Sequence, residues 1–354
     1  MAETPPKVED ALVTGHRSPF RALIRWESAL VLLLGATILY GTSTSPAFFQ
    51  SGSFFYIGLN VGEVAIMALP LALIVITGEI DLSVASILGL SGVVMAELFA
   101  HGWPIWPAMG AALVLGAVAG GFNGFLVTRL GLPSLAVTIG TLTLFRGIAQ
   151  VILPNDTIQV SQAPYSNIGV IPIHGTQVPW SIAFFLVLAV VFGVVLHATP
   201  LGRSIYAIGA GQEAAFFAGI RVKRIKFWLF VLSGFLAGFA GILWTLKFSS
   251  ARYDSGVGLE LYVVTIVLLG GISIFGGRGT MVGVVLSVAV LGSLQTAMTL
   301  DLVSAQDQNI VIGSLLILSV IVPNTSDIYR RARLRLGSAL ARRHAGERMP
   351  QETG

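Results

Sequence analysis

Apolar runs of roughly 20 residues recur along almost the whole chain, and each is long enough to cross a hydrocarbon layer about 30 Å thick as a helix. Backbone polar groups find no partners in lipid, so each run is predicted to be a helix that satisfies its own hydrogen bonds. The sequence therefore predicts an all-α polytopic membrane protein with about ten transmembrane helices. The runs lie near 26–45, 62–78, 82–100, 105–126, 133–153, 179–197, 227–246, 260–276, 280–300 and 308–323.

The distribution of charge supports a membrane protein and indicates where the transmembrane domain begins and ends. Only 11% of the 354 residues are charged, whereas soluble domains carry roughly a quarter. Many apolar runs follow the first one, so we expect an uncleaved first span rather than a signal peptide. We divide the chain into a polar N-terminal tail at 1–25, a transmembrane domain at 26–323 and a basic C-terminal tail at 324–354.

Basic residues predict the orientation of these spans. If both termini are cytoplasmic, 18 of the 21 Lys and Arg residues lie in cytoplasmic segments, and only Lys247 and Arg252 lie outside. The remaining one, Arg146, lies inside a predicted span. By the positive-inside rule, the stretch 202–226 then faces the cytoplasm, whereas the loop 154–178, which has no Lys or Arg, faces away. Both tails are therefore expected to be cytoplasmic.

The basic character of the chain, with a pI of about 9.6, indicates membrane lipid rather than nucleic acid as a partner, because the charges lie in loops and tails. In the C-terminal tail, one helical face is apolar and the other carries arginines. This pattern predicts a short interfacial helix on anionic lipid, with a disordered basic tail as the alternative. The apolar face comprises Ile328, Ala332, Leu336, Ala339 and Leu340.

Signatures of covalent chemistry are missing from the sequence. The chain has no Cys, which excludes disulfides, thiolate metal sites and cysteine nucleophiles. It has no Gly-Lys pair and hence no P-loop, so any ATP hydrolysis belongs to another chain. Its five histidines are scattered without metal-binding spacing, and no metal site is expected. The glycine cluster at 276–283 lacks a preceding soluble strand, and we interpret it as a tight turn.

Ionisable residues within predicted spans are candidate functional groups, because an ion in hydrocarbon costs at least ~2.5–3.5 kcal/mol. Glu63, Glu97 and Glu260 lie near predicted span ends, where their side chains can reach water, so a structural interpretation is favoured. Arg146 lies deeper, and we expect a structural ion pair with Asp81 or Glu79, with a substrate contact as the alternative.

Regularly spaced glycines predict close contacts between helices. Gly116, Gly120 and Gly124 form two consecutive small-xxx-small steps in the fourth run, and Gly234 and Gly238 form another in the seventh. Such steps let helix backbones approach closely. Ordinary helix packing is the favoured interpretation, and a substrate groove at these glycines is the alternative.

Four stretches together resemble the permease subunits of bacterial ABC sugar importers of the ribose, xylose and rhamnose type. They begin at Thr77, Asn123, Gly202 and Leu268, and they cover the chain from about 60 to 323. The first is similar to the family segment Gly-Gly-Ile-Asp-Leu-Ser, but Glu79 replaces its second glycine. The matching positions in the first three stretches include Asp81, Leu82, Ser83, Asn123, Gly124, Pro133, Thr138, Gly140, Thr141, Arg146, Gly147, Gly202, Arg203, Ala207, Ile208, Gly209, Ala214, Ala215, Gly219 and Ile220.

The resemblance implies a permease domain in a bacterial inner membrane that catalyses no covalent chemistry. Its implied partners are a cytoplasmic ATP-binding subunit, an extracytoplasmic sugar-binding protein and a second permease copy or a similar permease. Cofactors are then absent from this chain, and ATP and magnesium belong to the ATPase. The implied gating or pathway residues are Asp81, Ser83, Asn123, Thr141 and Arg146.

The resemblance also implies that the stretch 202–226 carries a coupling helix that docks on the ATPase subunit. The residues agree, because Gln212 and Glu213 suit a helix N-terminus and Gly219 can end the helix. Phe216 stands where relatives usually have an arginine. The expected coupling residues are Gly211, Gln212, Glu213, Ala214, Ala215, Phe216, Phe217, Gly219 and Ile220.

Two other functions are alternatives to the importer. An ATP-independent secondary carrier of a small polar solute should show coupling-ion carboxylates or histidines through its core. A membrane-embedded enzyme should show a reactive cluster. Neither pattern is evident in the sequence.

Overall fold

The computed structural model describes residues 19–154, 156–160 and 169–322, and helices dominate these ranges. A short 3₁₀ turn, Pro46–Phe49, joins the first two helices, and strands β1 (Ile158–Gln159) and β2 (Ser250–Ala251) form one antiparallel pair. The helices are α1 (Pro19–Thr44), α2 (Ser51–Ile76), α3 (Val84–Ala100), α4 (Ile105–Thr128), α5 (Ser134–Ile152), α6 (Trp180–Ala198), α7 (Pro200–Ala210), α8 (Gln212–Phe217), α9 (Val222–Phe248), α10 (Leu259–Leu269), α11 (Met281–Leu300) and α12 (Ala305–Val322).

The predicted all-α membrane class is confirmed. Within the described residues, eight helices are long and apolar enough to cross a membrane, and α3 and α10 are shorter apolar helices. These ten helices correspond in order to the ten predicted runs, although the count of full spans is only approximate. The largest boundary errors concern α2, which begins at Ser51 rather than 62, and α10, which ends at Leu269 rather than 276. Helix α10 stops early because Gly271 has a φ of +83°.

Helix α2 lies at the centre of the bundle. Its residues from Val61 to Ile76 are almost entirely buried, and α6, α9, α10 and α11 pack around it. A helix that is apolar all round is stable in this position because no face has to meet solvent. Helices α1, α5, α6 and α12 instead expose large apolar side chains, for example Val187 and Val190. These exposed faces suit contact with lipid or with another subunit.

The glycine steps of α4 pack against the glycine step of α9, which agrees with the helix-packing interpretation, although the sequence did not indicate that these two helices are partners. A Cβ atom at Gly120 would collide with the carbonyl oxygen of Phe230, and one at Gly234 would collide with the carbonyl oxygen of Gly116. The backbones therefore approach so closely that only hydrogen fits as a side chain at the crossing.

Several sequence predictions lie outside the described residues. They are the C-terminal interfacial helix at 328–340, most of the N-terminal tail and the central part of the loop 154–178, including Ser161.

Candidate functional site

The seven residues between α2 and α3, 77–83, form a partly buried, non-helical segment that we call the linker segment. It begins with a turn at Gly78, whose φ is +82°. Asp81 is fully buried, and its Oδ1 accepts hydrogen bonds from the backbone nitrogen of Ser83 at 3.0 Å and from its hydroxyl at 2.6 Å. Its Oδ2 accepts from the hydroxyl of Ser233 on α9 at 2.9 Å. Asp81 therefore closes a side-chain turn immediately before α3.

Helices α4 and α5 hold the same segment from two further sides. Asn123 on α4 donates through Nδ2 to the Ser83 hydroxyl at 2.7 Å, and its Oδ1 is buried without a partner among the described residues. On α5, the Ser134 hydroxyl accepts from the nitrogen of Ile80 at 3.1 Å, and the Thr138 hydroxyl donates to the Ile80 carbonyl at 3.3 Å. Non-helical backbone at membrane depth is tolerated when its polar groups are satisfied in this way.

Thr141 lies close to this cluster on α5, but its hydroxyl donates to the carbonyl of Thr138 rather than to the Asp81 carboxylate. The structure therefore brings together Asp81, Ser83 and Asn123 through direct hydrogen bonds. It also adds Ser233, which sequence analysis missed because serine in an apolar helix gives no signal by itself.

The predicted pairing of Arg146 with Asp81 or Glu79 is wrong. Its guanidinium donates instead to the backbone carbonyls of Ser255 at 2.7 Å and Tyr253 at 3.3 Å, in the segment between β2 and α10. Backbone carbonyls can satisfy a cation without a carboxylate partner, and sequence spacing does not reveal which carbonyls will be near. Arg146 thus holds this segment against α5.

Glu63 also differs from its predicted setting. Because α2 begins at Ser51, Glu63 lies in the middle of this helix and is 1% exposed. Its Oε2 lies 3.3 Å from Nζ of Lys247, which the topology had placed in an outer loop and which is in fact buried in the last turn of α9. The Lys247 ammonium also donates to the Leu59 carbonyl. A charge at this depth requires such a partner.

The other two candidate acids lie near helix ends, as the sequence predicted, but Glu260 does not have both carboxylate oxygens in water. Glu97 is partly exposed near the end of α3, where its carboxylate lies 3.5 Å from Nδ1 of His101. Glu260 lies in the first turn of α10, and its Oε2 is buried without a hydrogen-bond partner among the described residues.

The stretch predicted to contain a coupling helix does form a short helix, α8. It begins after Gly211 with Gln212 and Glu213, and it ends where Gly219 adopts a φ of +83°. The nitrogen of Ile220 then bonds to the carbonyl of Ala215 at 3.0 Å, which closes the last turn. This is the glycine-ended helix terminus that the sequence indicated.

Helix α8 buries one face and exposes two aromatic rings. Ala215 packs with Ile208 and Val222 in a small apolar cluster, whereas Phe216 is 66% and Phe217 is 85% exposed. Beside the two rings lies an open groove of about 1390 Å³. Its lining combines residues of α4, α8 and α9 with the basic turn between α8 and α9, and it comprises Phe125, Thr128, Arg129, Gln212, Glu213, Phe216, Phe217, Gly219, Ile220, Arg221, Val222, Lys223, Arg224, Phe227 and Trp228.

Lys226 connects α8 to the linker segment. Its side chain is 6% exposed, and its Nζ lies 2.6 Å from Oε1 of Glu79 and 2.8 Å from Oε1 of Gln212. In the sequence, Lys226 is one of five basic residues in the stretch 202–226. Its position in the second turn of α9, on the side that packs into the bundle, was not visible in that count.

The glycine-rich turn at 276–279 packs against α7 and the end of α2. The nitrogen of Gly277 bonds to the carbonyl of Ile76 at 2.8 Å, and the hydroxyl of Tyr206 donates to the carbonyl of Gly279 at 2.7 Å. Burial raises the pKa of Tyr206 to about 12, so its hydroxyl stays protonated as a donor. The tight-turn interpretation is confirmed, since this turn joins α10 to α11.

The apolar bundle, the partly buried linker segment and the exposed helix α8 together define a polytopic membrane protein with a projecting helix. A family model described as the permease component of the branched-chain amino acid transport system matches residues 53–320. Because this match spans most of the chain, the chain belongs to that family of permease subunits. It is therefore a transport component rather than an enzyme, as the resemblance predicted.

Curated relatives extend the comparison. The chain is 35% identical over 301 residues to the L-arabinose ABC transporter permease protein AraH of Azospirillum brasilense, a match covering 85% of this chain and 86% of that protein. It is 33% identical to the ribose import permease protein RbsC of Escherichia coli K12, over 88% of this chain and 98% of that protein. It is 30% identical to the D-allose transport system permease protein AlsC of the same organism, over 86% and 94%. No solved structure matches the chain.

Proposed function

We propose that the chain is the transmembrane permease subunit of an ATP-driven importer for a monosaccharide or a similar small polyol. The names of three relatives support the substrate class, because they are permeases for L-arabinose, ribose and D-allose. The charge distribution supports a bacterial inner-membrane orientation with both termini cytoplasmic. In this proposal the 1–25 and 324–354 tails flank one permease domain at 26–323.

The observation that carries this proposal is the exposure of Phe216 and Phe217 on α8 beside an open groove. Two adjacent aromatic side chains in water lose the free energy that burial would provide, so they mark a docking surface. A cytoplasmic ATP-binding subunit is the occupant that fits a membrane transport subunit without a P-loop. The coupling helix that presents the two rings is then formed by Gly211, Gln212, Glu213, Ala214, Ala215, Gly219 and Ile220.

Transport in this proposal is alternating access by a dimer of permeases. When ATP and magnesium bind, the two ATPase subunits close against each other. This closure displaces α8 in each permease. An extracytoplasmic binding protein delivers the sugar at the opposite face. The gate in this proposal is the linker segment, which is non-helical backbone between the apolar helices α2 and α3. Hydrogen bonds among Asp81, Ser83 and Asn123 hold it in place. Thr141 and Arg146 on α5 border the same pathway.

The test is reconstitution with the ATPase and binding protein encoded beside the gene. Purified complexes in lipid vesicles are supplied with radiolabelled L-arabinose, D-ribose or D-allose, with and without enclosed ATP. We expect uptake that requires ATP, the ATPase and the binding protein together. Uptake by the permease alone, driven by an ion gradient, would instead establish the secondary carrier. A thermal-shift screen of the binding protein with the same sugars identifies the substrate independently.

A further inference from the structure

Lys226 contacts two segments that are far apart in the sequence. Its ammonium lies 2.6 Å from the Glu79 carboxylate, 147 residues away, and 2.8 Å from the Gln212 amide oxygen, 14 residues away. Glu79 belongs to the linker segment, and Gln212 is the first residue of α8. One buried cation therefore joins the exposed helix to the interior segment.

The linker segment contacts α9 at a second point two turns further along. Ser233, seven residues after Lys226, donates to the Asp81 carboxylate at 2.9 Å. Seven residues correspond to about 10.5 Å of rise and return to nearly the same helix face. Glu79 and Asp81 are thus held on one face of α9 by contacts two turns apart.

Stability is a weak explanation for this ion pair, in which the side chain of Lys226 is 6% and that of Glu79 is 18% exposed. Apolar side chains of similar volume usually stabilise a protein equally well or better, whereas buried ionic groups can serve to select one arrangement. The arrangement that this pair selects is the contact of α8 and the linker segment with α9.

We propose that Lys226 is a positioning residue that transmits displacement of α8 to the linker segment through Gln212 and Glu79. The inference rests on the proposed function, in which an ATPase subunit binds and moves α8. Gln212 connects the moving helix to the cation, and Glu79 connects the cation to the backbone two residues before Asp81. Each contact is a hydrogen bond to a charged group, which is stronger and more directional than a neutral one.

The test measures how many sugar molecules are transported per ATP hydrolysed in vesicles containing the complete complex. Gln212→Ala removes the contact with α8 and leaves the buried ion pair intact, so it separates transmission from folding. Glu79→Lys and Lys226→Glu break the ion pair singly. Their combination restores it with reversed charges, and the Gln212 amide can rotate to donate to the new carboxylate. Arg203→Gln, which removes an exposed cation from α7 that does not line the groove, is the matched control.

We expect Gln212→Ala and both single charge reversals to retain bound ATPase but to transport about tenfold less sugar per ATP, within the 5–150-fold range of typical coupling free energies. The double reversal should recover most of this loss, and Arg203→Gln should behave as the unaltered chain. Rescue by reversal is the result that a merely structural role of each residue would not produce, because it demonstrates an energetic link between the two positions.

Two failures can be told apart. If the unaltered permease binds no ATPase, the proposed function itself is refuted. If ATPase binding is normal and Gln212→Ala transports as much sugar per ATP as the control, only the inference about Lys226 is overturned. A double reversal that binds ATPase but stays as uncoupled as the single variants contradicts it as well. Should the single reversals fail to accumulate in the membrane, Gln212→Ala alone decides the matter.

Discussion

Replacing Phe216 and Phe217 together with serine should detach the ATPase subunit without unfolding the permease. The two rings are 66% and 85% exposed, so the isolated permease loses little apolar burial when they are removed. Substitutions at such surface positions usually change the free energy of unfolding by less than about 0.5 kcal/mol. The fold of α8 is preserved because Ala215 and Gly219, which seat and end the helix, are unchanged.

The loss of binding should be much larger than the loss of stability. Aromatic residues that anchor an interface contribute about 2 kcal/mol or more each. Two such anchors amount to about 4 kcal/mol, which corresponds to a roughly thousandfold higher Kd for the ATPase. A binding free energy worked out from the apolar surface area of the two rings would be larger still. Such a value overstates affinity because association also costs rotational, translational and side-chain freedom.

The assay is the amount of ATPase that copurifies with tagged permease, together with ATP-dependent uptake in vesicles. The matched control is Phe275→Ser, since Phe275 is 75% exposed and lies in the turn that packs against α7. Normal ATPase content and uptake in the double variant would refute the docking role of α8. If Phe275→Ser released the ATPase instead, the glycine-rich turn would be the docking element.

Three further predictions concern the gate, the helix packing and the topology. Asp81→Asn should keep part of the hydrogen bonding to Ser83 and some transport, whereas Asp81→Leu should abolish transport or assembly. Full activity of both variants in the vesicle assay would contradict the gating role. Gly234→Val should prevent accumulation of folded permease, because the new side chain would collide with the Gly116 carbonyl. The control Gly193→Val on α6, where the space around Cβ is open, should be tolerated. Detergent size-exclusion chromatography measures both. Ser161→Cys, in a chain without cysteine, should react with an impermeant thiol reagent only from the extracytoplasmic side, and labelling solely from the cytoplasm would overturn both topology and coupling assignment.

Local patterns in the sequence were sufficient to predict several elements of the fold. Runs of apolar residues indicated the spans because transfer of a segment into lipid depends on its own composition. The glycine steps indicated close helix packing because close approach requires a missing side chain, but that α4 and α9 are partners came only from the structure. Helix α8 was predictable because its start and its end depend on local residues. Polar residues begin it, and Gly219 ends it.

The partners of the buried charges were decided only by the tertiary structure. Glu63 pairs with Lys247 across 184 residues, and Lys226 binds Glu79 across 147. Arg146 was expected to find a carboxylate, but it is satisfied by two backbone carbonyls. A sequence shows that a charge inside the membrane needs a partner, because an unpaired charge there is costly. Which polar group comes within 3 Å is determined by how the helices pack, and neither composition nor spacing along the chain records that arrangement.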